Sequence, residues 1–122
     1  MAIAPSPKIA PSAELENVDE RTIRRENWLL SQDASYYTIQ IMGVHNEEFL
    51  LSFIKKNQLL EQNEIAYYQS TFNSKAWYQL LYGIYHTKKE AQLAVNKLPE
   101  NIRKAKPWIR SISTVQKAIR EK

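Results

Sequence analysis

Apolar and polar positions alternate over residues 36–42, where Thr38 and Gln40 separate Tyr37, Ile39 and Ile41. A period of two marks a half-buried strand, and Gly43 predicts its end. The period then changes. Phe49, Leu50, Phe53 and Ile54 share one helical face. Asn46 is placed to cap that helix, and Glu47 and Glu48 suit its positive end. Residues 58–63 read as a polar break. Aromatic and β-branched residues over 65–72 and 76–85 predict two strands, joined as a hairpin by Asn73-Ser74. Thr87-Lys-Lys-Glu90 is a capping box. Ala91, Ala94, Val95 and Leu98 follow at helical spacing, until Pro99 stops or restarts the helix. Residues 108–112 predict a fourth strand. Residues 113–116 open a terminal helix with Val115, Ala118 and Ile119 on its inner side.

The order is β-α-β-β-α-β plus a C-terminal helix. The fold class expected is α+β, the split βαβ (RNP-like) arrangement: a four-stranded antiparallel sheet with two helices on one face. The other face is expected to be open to a ligand. Ile39 and Ile41 must face the helices, so Thr38, Gln40 and Met42 are assigned to the open side. In the third strand Tyr78, Leu80, Tyr82 and Ile84 form the more apolar set and are assigned to the helices. Trp77, Gln79, Leu81 and Gly83 are then on the open side, within reach of Trp108. A tryptophan on a solvated sheet face implies either a ligand or cover from the tail or the terminal helix.

The first third reads differently. Pro5, Pro7 and Pro11 sit among Ser and Ala, which favours an extended chain. Residues 14–27 carry mixed charge and suit at most a short helix anchored by Val18, Ile23 and Trp28. Residues 1–33 are therefore read as a mostly flexible linker, and residues 34–122 as the domain.

Composition narrows the function classes. At 122 residues, 43% hydrophobic and 25% charged, the chain is neither wholly disordered nor collagen-like. Its apolar runs fall far short of the roughly 20 residues a membrane helix needs. The opening Met1-Ala-Ile-Ala-Pro lacks the pattern of a signal peptide, so work outside the cytoplasm would require a part of the protein beyond this chain. Cysteine is absent, which excludes disulfides, thiolate zinc and thiol catalysis. His45 and His86 have no metal-ligand spacing and read as solvated loop residues. Glu47, Glu48 and Glu90 are explained by helix starts. The expectation is a binding domain, not an enzyme, with no cofactor and no metal.

The net charge of +4 conceals a gradient: −2 over residues 1–35, zero over 36–96 and +6 over 97–122. An anionic partner fits that basic end. RNA-recognition modules share the topology, but residues 76–85 lack their basic and glycine-spaced third-strand signature. A protein-interaction surface at Tyr67 and Tyr68 is a further alternative, although such residues ordinarily serve strand contacts.

Tyr37-Thr-Ile-Gln-Ile41 followed by Gly43 resembles the first strand of the SPOR (sporulation-related repeat) domain. Ala76-Trp-Tyr-Gln-Leu-Leu-Tyr-Gly-Ile-Tyr85, Thr87-Lys-Lys-Glu-Ala91 and Ala94-Val95 resemble its third strand and second helix. Leu98-Pro99, Lys106-Pro107-Trp108 and Val115-Gln116, with Trp28-Leu-Leu and Gln32 ahead of the domain, resemble its DamX-type cell-division subgroup. The likeness covers about residues 28–118.

The resemblance implies binding of peptidoglycan glycan strands stripped of their stem peptides, at the division septum. It also implies a periplasmic C-terminal domain of an inner-membrane protein, with any membrane contact made by a segment outside this chain. Other divisome proteins are further partners in this reading, nucleic acid is not, and the chain is expected to be a monomer. Gln40, Trp77 and Trp108 map onto the family's binding residues. Gly43 falls where a small polar residue is common, which puts a hydroxyl contact there in doubt. Thr38 and Tyr78 are weaker candidates set by parity. A tryptophan beside an amide suits a sugar, whose C–H faces stack on rings and whose hydroxyl and N-acetyl groups need hydrogen-bond partners. Removing stem peptides exposes lactyl carboxylates, so a basic fourth-strand edge formed by Lys75, Lys106 and Arg110 is expected to favour the bare strand.

Overall fold

The computed structural model describes residues 23–121. The elements are α1 (Glu26–Leu30), β1 (Tyr37–Val44), α2 (Glu47–Lys56), a 3-10 turn (Leu59–Glu61), β2 (Ile65–Phe72), β3 (Lys75–Tyr85), α3 (Lys88–Asn96), α4 (Glu100–Arg103), β4 (Trp108–Ser111) and α5 (Ile112–Glu121). The four strands form one antiparallel sheet in the order β2-β3-β1-β4. This is the split βαβ arrangement, α+β, with a C-terminal helix.

Local signals act where the sequence places them. The Asn46 side chain accepts a hydrogen bond from the Phe49 N–H at 2.9 Å, and Thr87 accepts one from Glu90 at 3.1 Å. Each cap of this kind stabilises a helix by about 1 kcal/mol. Asn73 and Ser74 both take positive φ, of 55° and 63°, which a tight two-residue hairpin turn requires. Two boundaries move. Residues 58–63 are not merely a polar break, because Leu59 turns inward and is fully buried. The last strand ends at Ser111, whose hydroxyl accepts the Thr114 N–H at 3.2 Å and so starts α5 at Ile112.

One core lies between the sheet and the helices α2 and α3. It joins Ile39, Ile41, Ile65, Tyr67, Leu80 and Tyr82 to Leu50, Ile54, Ala91, Leu98 and Ile102. The face expected to be open carries a second core. There α1 and α5 cover Ala66, Tyr68 and Leu81 with Leu29, Val115 and Ile119. The inner side of α5 needs cover, and the apolar positions of β2 and β3 supply it. The Gln116 amide ties the two helices together by donating to the carbonyls of Leu29 at 3.1 Å and Gln32 at 2.8 Å. Among the described residues, the hairpin end of that face, around Phe72 and Trp77, lies outside this second core.

Residues 24–30, counted with the linker in the sequence reading, rest on the sheet edge. Arg24 donates its N–H to the Ile65 carbonyl at 2.8 Å and accepts from the Tyr67 N–H at 3.1 Å. Arg25 stacks on Tyr67 at 4.2 Å. The Tyr67 hydroxyl in turn donates to the Glu47 carboxylate at 2.5 Å. Burial and that bond push the Tyr67 hydroxyl up to about 12. Val18 and the proline-rich start lie outside the described residues.

Two irregularities correct the parity reading. The β1–β3 register shifts between Gln40 and Met42. Met42 therefore turns to the helix-side core with Ile41, and Gly43 takes the opposite side. A second shift falls near Gly83, whose φ is +73°. Tyr85 rather than Ile84 consequently joins the helix-side core.

Candidate functional site

Residues opposite one another in an antiparallel pair share a face. The register sets Ser70 against Trp77 and Tyr68 against Gln79. These side chains and Phe72 therefore meet at the hairpin end of the face that α5 leaves bare. With Arg110 of β4 and Ala118 and Glu121 of α5 they line an open cavity of about 490 Å³.

Trp77 is its platform. The indole lies directly over Gly43, where an added Cβ would stand 2.7 Å from Cε2 and 2.8 Å from Nε1. No real side chain tolerates such a distance, so Gly43 is the seat of the indole. This changes the meaning of the missing hydroxyl: any side chain at 43 would displace the ring. Phe72 packs at 5.0 Å and 41°, and His45 meets the indole edge-on at 4.7 Å and 65°. His45 is not an idle loop residue. Its Nδ1–H donates to the Ala76 carbonyl at 2.8 Å, which fixes the imidazole against the tryptophan.

The middle of the face is polar and buried. Arg110 is only 8% exposed, so the exposed basic edge expected at this position is corrected. It faces inward because it pairs with Thr38 across β1, on the side that α5 covers. Its Nη1 donates to Gln40 Oε1 at 2.8 Å and to the Tyr68 hydroxyl at 2.5 Å. Burial pushes the Tyr68 hydroxyl up, while the Arg110 hydrogen bond and charge pull it down; the net shift is upward, so it meets Arg110 as a neutral acceptor. The guanidinium also lies 5.8 Å from the Tyr68 ring centroid and 5.6 Å from that of Trp108. No carboxylate pairs with it among the described residues. Burying a cation without an anion costs several kcal/mol, which neutral partners offset only in part.

The other candidates separate. Gln40 is on this face but buried, its carbonyl held by Arg110. Trp108 is 55% exposed, stands opposite Gln40 and presents its ring from the edge strand. Thr38 is buried and its hydroxyl donates to the Gly83 carbonyl at 2.7 Å, so it offers a ligand nothing. Tyr78 packs against the helix-side core, on the opposite face. Lys75 is exposed at the hairpin, and Lys106 is exposed ahead of β4. Gln79 and Phe72 were missed as site residues, although both follow from the parity of Trp77 once the hairpin register is known. Ser70 donates to Gln79 Oε1 at 3.3 Å, which leaves the Gln79 NH2 group for a ligand. Nothing in the sequence marks His45 as an aromatic neighbour. Among the described residues, no group of three or more His, Asp or Glu could hold a metal ion.

The SPOR domain family model matches residues 33–111. The cell division protein DamX of Serratia marcescens is 31% identical over 91 residues, which cover 75% of this chain and 41% of that protein. The chain thus spans less than half the length of this relative. The matched region contains all four strands, the glycine under Trp77, and both Trp77 and Trp108, and the chain belongs to the SPOR domain family.

Proposed function

We propose that this domain binds peptidoglycan glycan strands that have lost their stem peptides, without cleaving them, and so directs its protein to the division septum. The observation that carries this reading is the uncovered half-face: a Trp77 platform held by Gly43, Phe72 and His45, beside the Gln79 amide and the edge ring of Trp108. Sugar C–H faces stack on the indoles, and the amides serve hydroxyl and N-acetyl groups. Stem peptides would collide with α5, which walls one side of the cavity with Ala118 and Glu121. Family membership supports a peptidoglycan ligand, and the DamX relative supports a role in cell division.

In this proposal the domain works in the periplasm at the end of a linker, as a monomer. Any membrane attachment is, in this proposal, made by a segment outside this chain; no helix among the described residues is long and apolar enough to cross a membrane. Lys75 and Lys106 lend long-range attraction to an anionic strand.

The test is a pull-down by purified sacculi of the wild-type protein and of Trp77→Ala. Trp77 is outside both buried cores. The substitution is expected to lose most binding, roughly tenfold or more, with an unchanged far-UV spectrum and melting temperature. Retained binding by folded Trp77→Ala would remove the platform from the site.

A further inference from the structure

Arg110 is a cation that the fold buries without an anion. Its Nε is fully buried and has no hydrogen-bond partner, and its two bonds, both from Nη1, go to the neutral oxygens of Gln40 and Tyr68. No ion pair joins it to a carboxylate among the described residues. Yet it lines the open cavity together with Trp77, Gln79 and Ser70. A buried guanidinium with no anionic partner beside an open cavity is the arrangement that an incoming carboxylate completes.

We propose that this cavity is a carboxylate subsite, in which Arg110 receives the lactyl carboxylate of a stripped muramic acid residue while its sugar ring stacks on Trp77. This rests on the glycan-binding reading and makes it more specific. Discrimination between a bare strand and a peptide-bearing one then comes from one buried charge. In a peptide-bearing strand the same lactyl carbonyl is an amide. It brings no charge to Arg110 and carries a peptide toward α5. The exposed Lys75 and Lys106 act at longer range, where salt screens them. Glu121, on the rim of the same cavity, repels a carboxylate, which keeps weak anions out and leaves binding to ligands that also stack.

The test uses an alternating N-acetylglucosamine–N-acetylmuramic acid tetrasaccharide with free lactyl carboxylates, and the same tetrasaccharide with those groups converted to primary amides. Wild-type protein is expected to bind the acid on the order of tenfold tighter than the amide. Arg110→Gln should erase that preference, and a Lys75→Gln, Lys106→Gln double variant should keep it. Because Arg110→Gln risks misfolding, the unsubstituted protein supplies a second readout. The Arg110 Nε–H resonance should shift on adding the acid and stay in place with the amide. Equal binding of acid and amide by wild type, or a preference that survives in folded Arg110→Gln, would overturn the subsite and leave the glycan-binding reading standing. If wild type binds neither tetrasaccharide, the glycan-binding reading fails and the subsite falls with it.

Discussion

Gly43 and Trp77 act as one unit. The glycine is needed because the indole occupies the volume a side chain would fill, at 2.7 Å from a hypothetical Cβ. Gly43→Ser would therefore not restore a hydroxyl contact. It would tilt the indole out of its contacts with Phe72 and His45. Glycan binding should fall by roughly tenfold, while stability changes little because the indole swings toward solvent. Near-UV circular dichroism would report the moved ring; an unchanged spectrum with improved binding would contradict this account of the glycine. The face that carries Trp77 was legible from strand parity, whereas Trp108 entered only as the residue opening the fourth strand and through the family resemblance. Gly43 was legible only as an exception. Its partner is 34 positions away, and the bulge that turns it toward Trp77 leaves no mark in the local pattern.

At the scale of elements, strands and capped helices were legible because each carries its own periodicity and stop signals. The cover over the second face was not. α1 has five residues and holds through contacts that no local pattern encodes: Leu29 in the second core, Gln116 on its carbonyls and Glu26 on β2. Glu26 accepts the Gln69 N–H at 2.9 Å. Partial burial pushes its carboxyl up, but that hydrogen bond and the charge of Arg25 outweigh it, and the group titrates below its ordinary value of 4.5. A carboxyl held low in the folded state adds stability above its unfolded pKa, and that stability is lost as pH falls through the folded value. The docking of α1 should accordingly weaken as pH falls below that ordinary value and through the lower folded one. Amide exchange at Gln69 should accelerate there relative to the strand interior, beyond the intrinsic pH effect. Glu26→Gln should exchange faster at neutral pH and lose that extra acid dependence. Equal protection of Gln69 in both proteins at every pH would show that Glu26 does not hold this edge.

The whole molecule divides its second face between structure and binding. The helix-side core needs α2 and α3, and the length of chain after β4 allows α5 to cross back over Ala66, Tyr68 and Leu81. What α5 leaves bare is a half-face with aromatic walls, and what it buries includes Arg110. The charge gradient read from the sequence changes meaning on this scale. Of the basic residues in the last quarter, Lys97, Arg103, Lys104, Lys106, Lys117 and Arg120 are exposed, and Arg110 alone among the described ones is buried at the site. In the proposed reading the gradient attracts an anionic strand and the single buried charge selects it. The sequence could not separate these roles, because net charge counts buried and solvated side chains alike.

If stripped glycan is the ligand, a pull-down of the wild-type domain should distinguish intact sacculi from the same sacculi after amidase treatment, with folded Trp77→Ala as control. Amidase treatment should raise wild-type binding several-fold and leave Trp77→Ala at background. Equal wild-type binding to both preparations, or lower binding after amidase, would mean that the domain does not recognise stripped glycan.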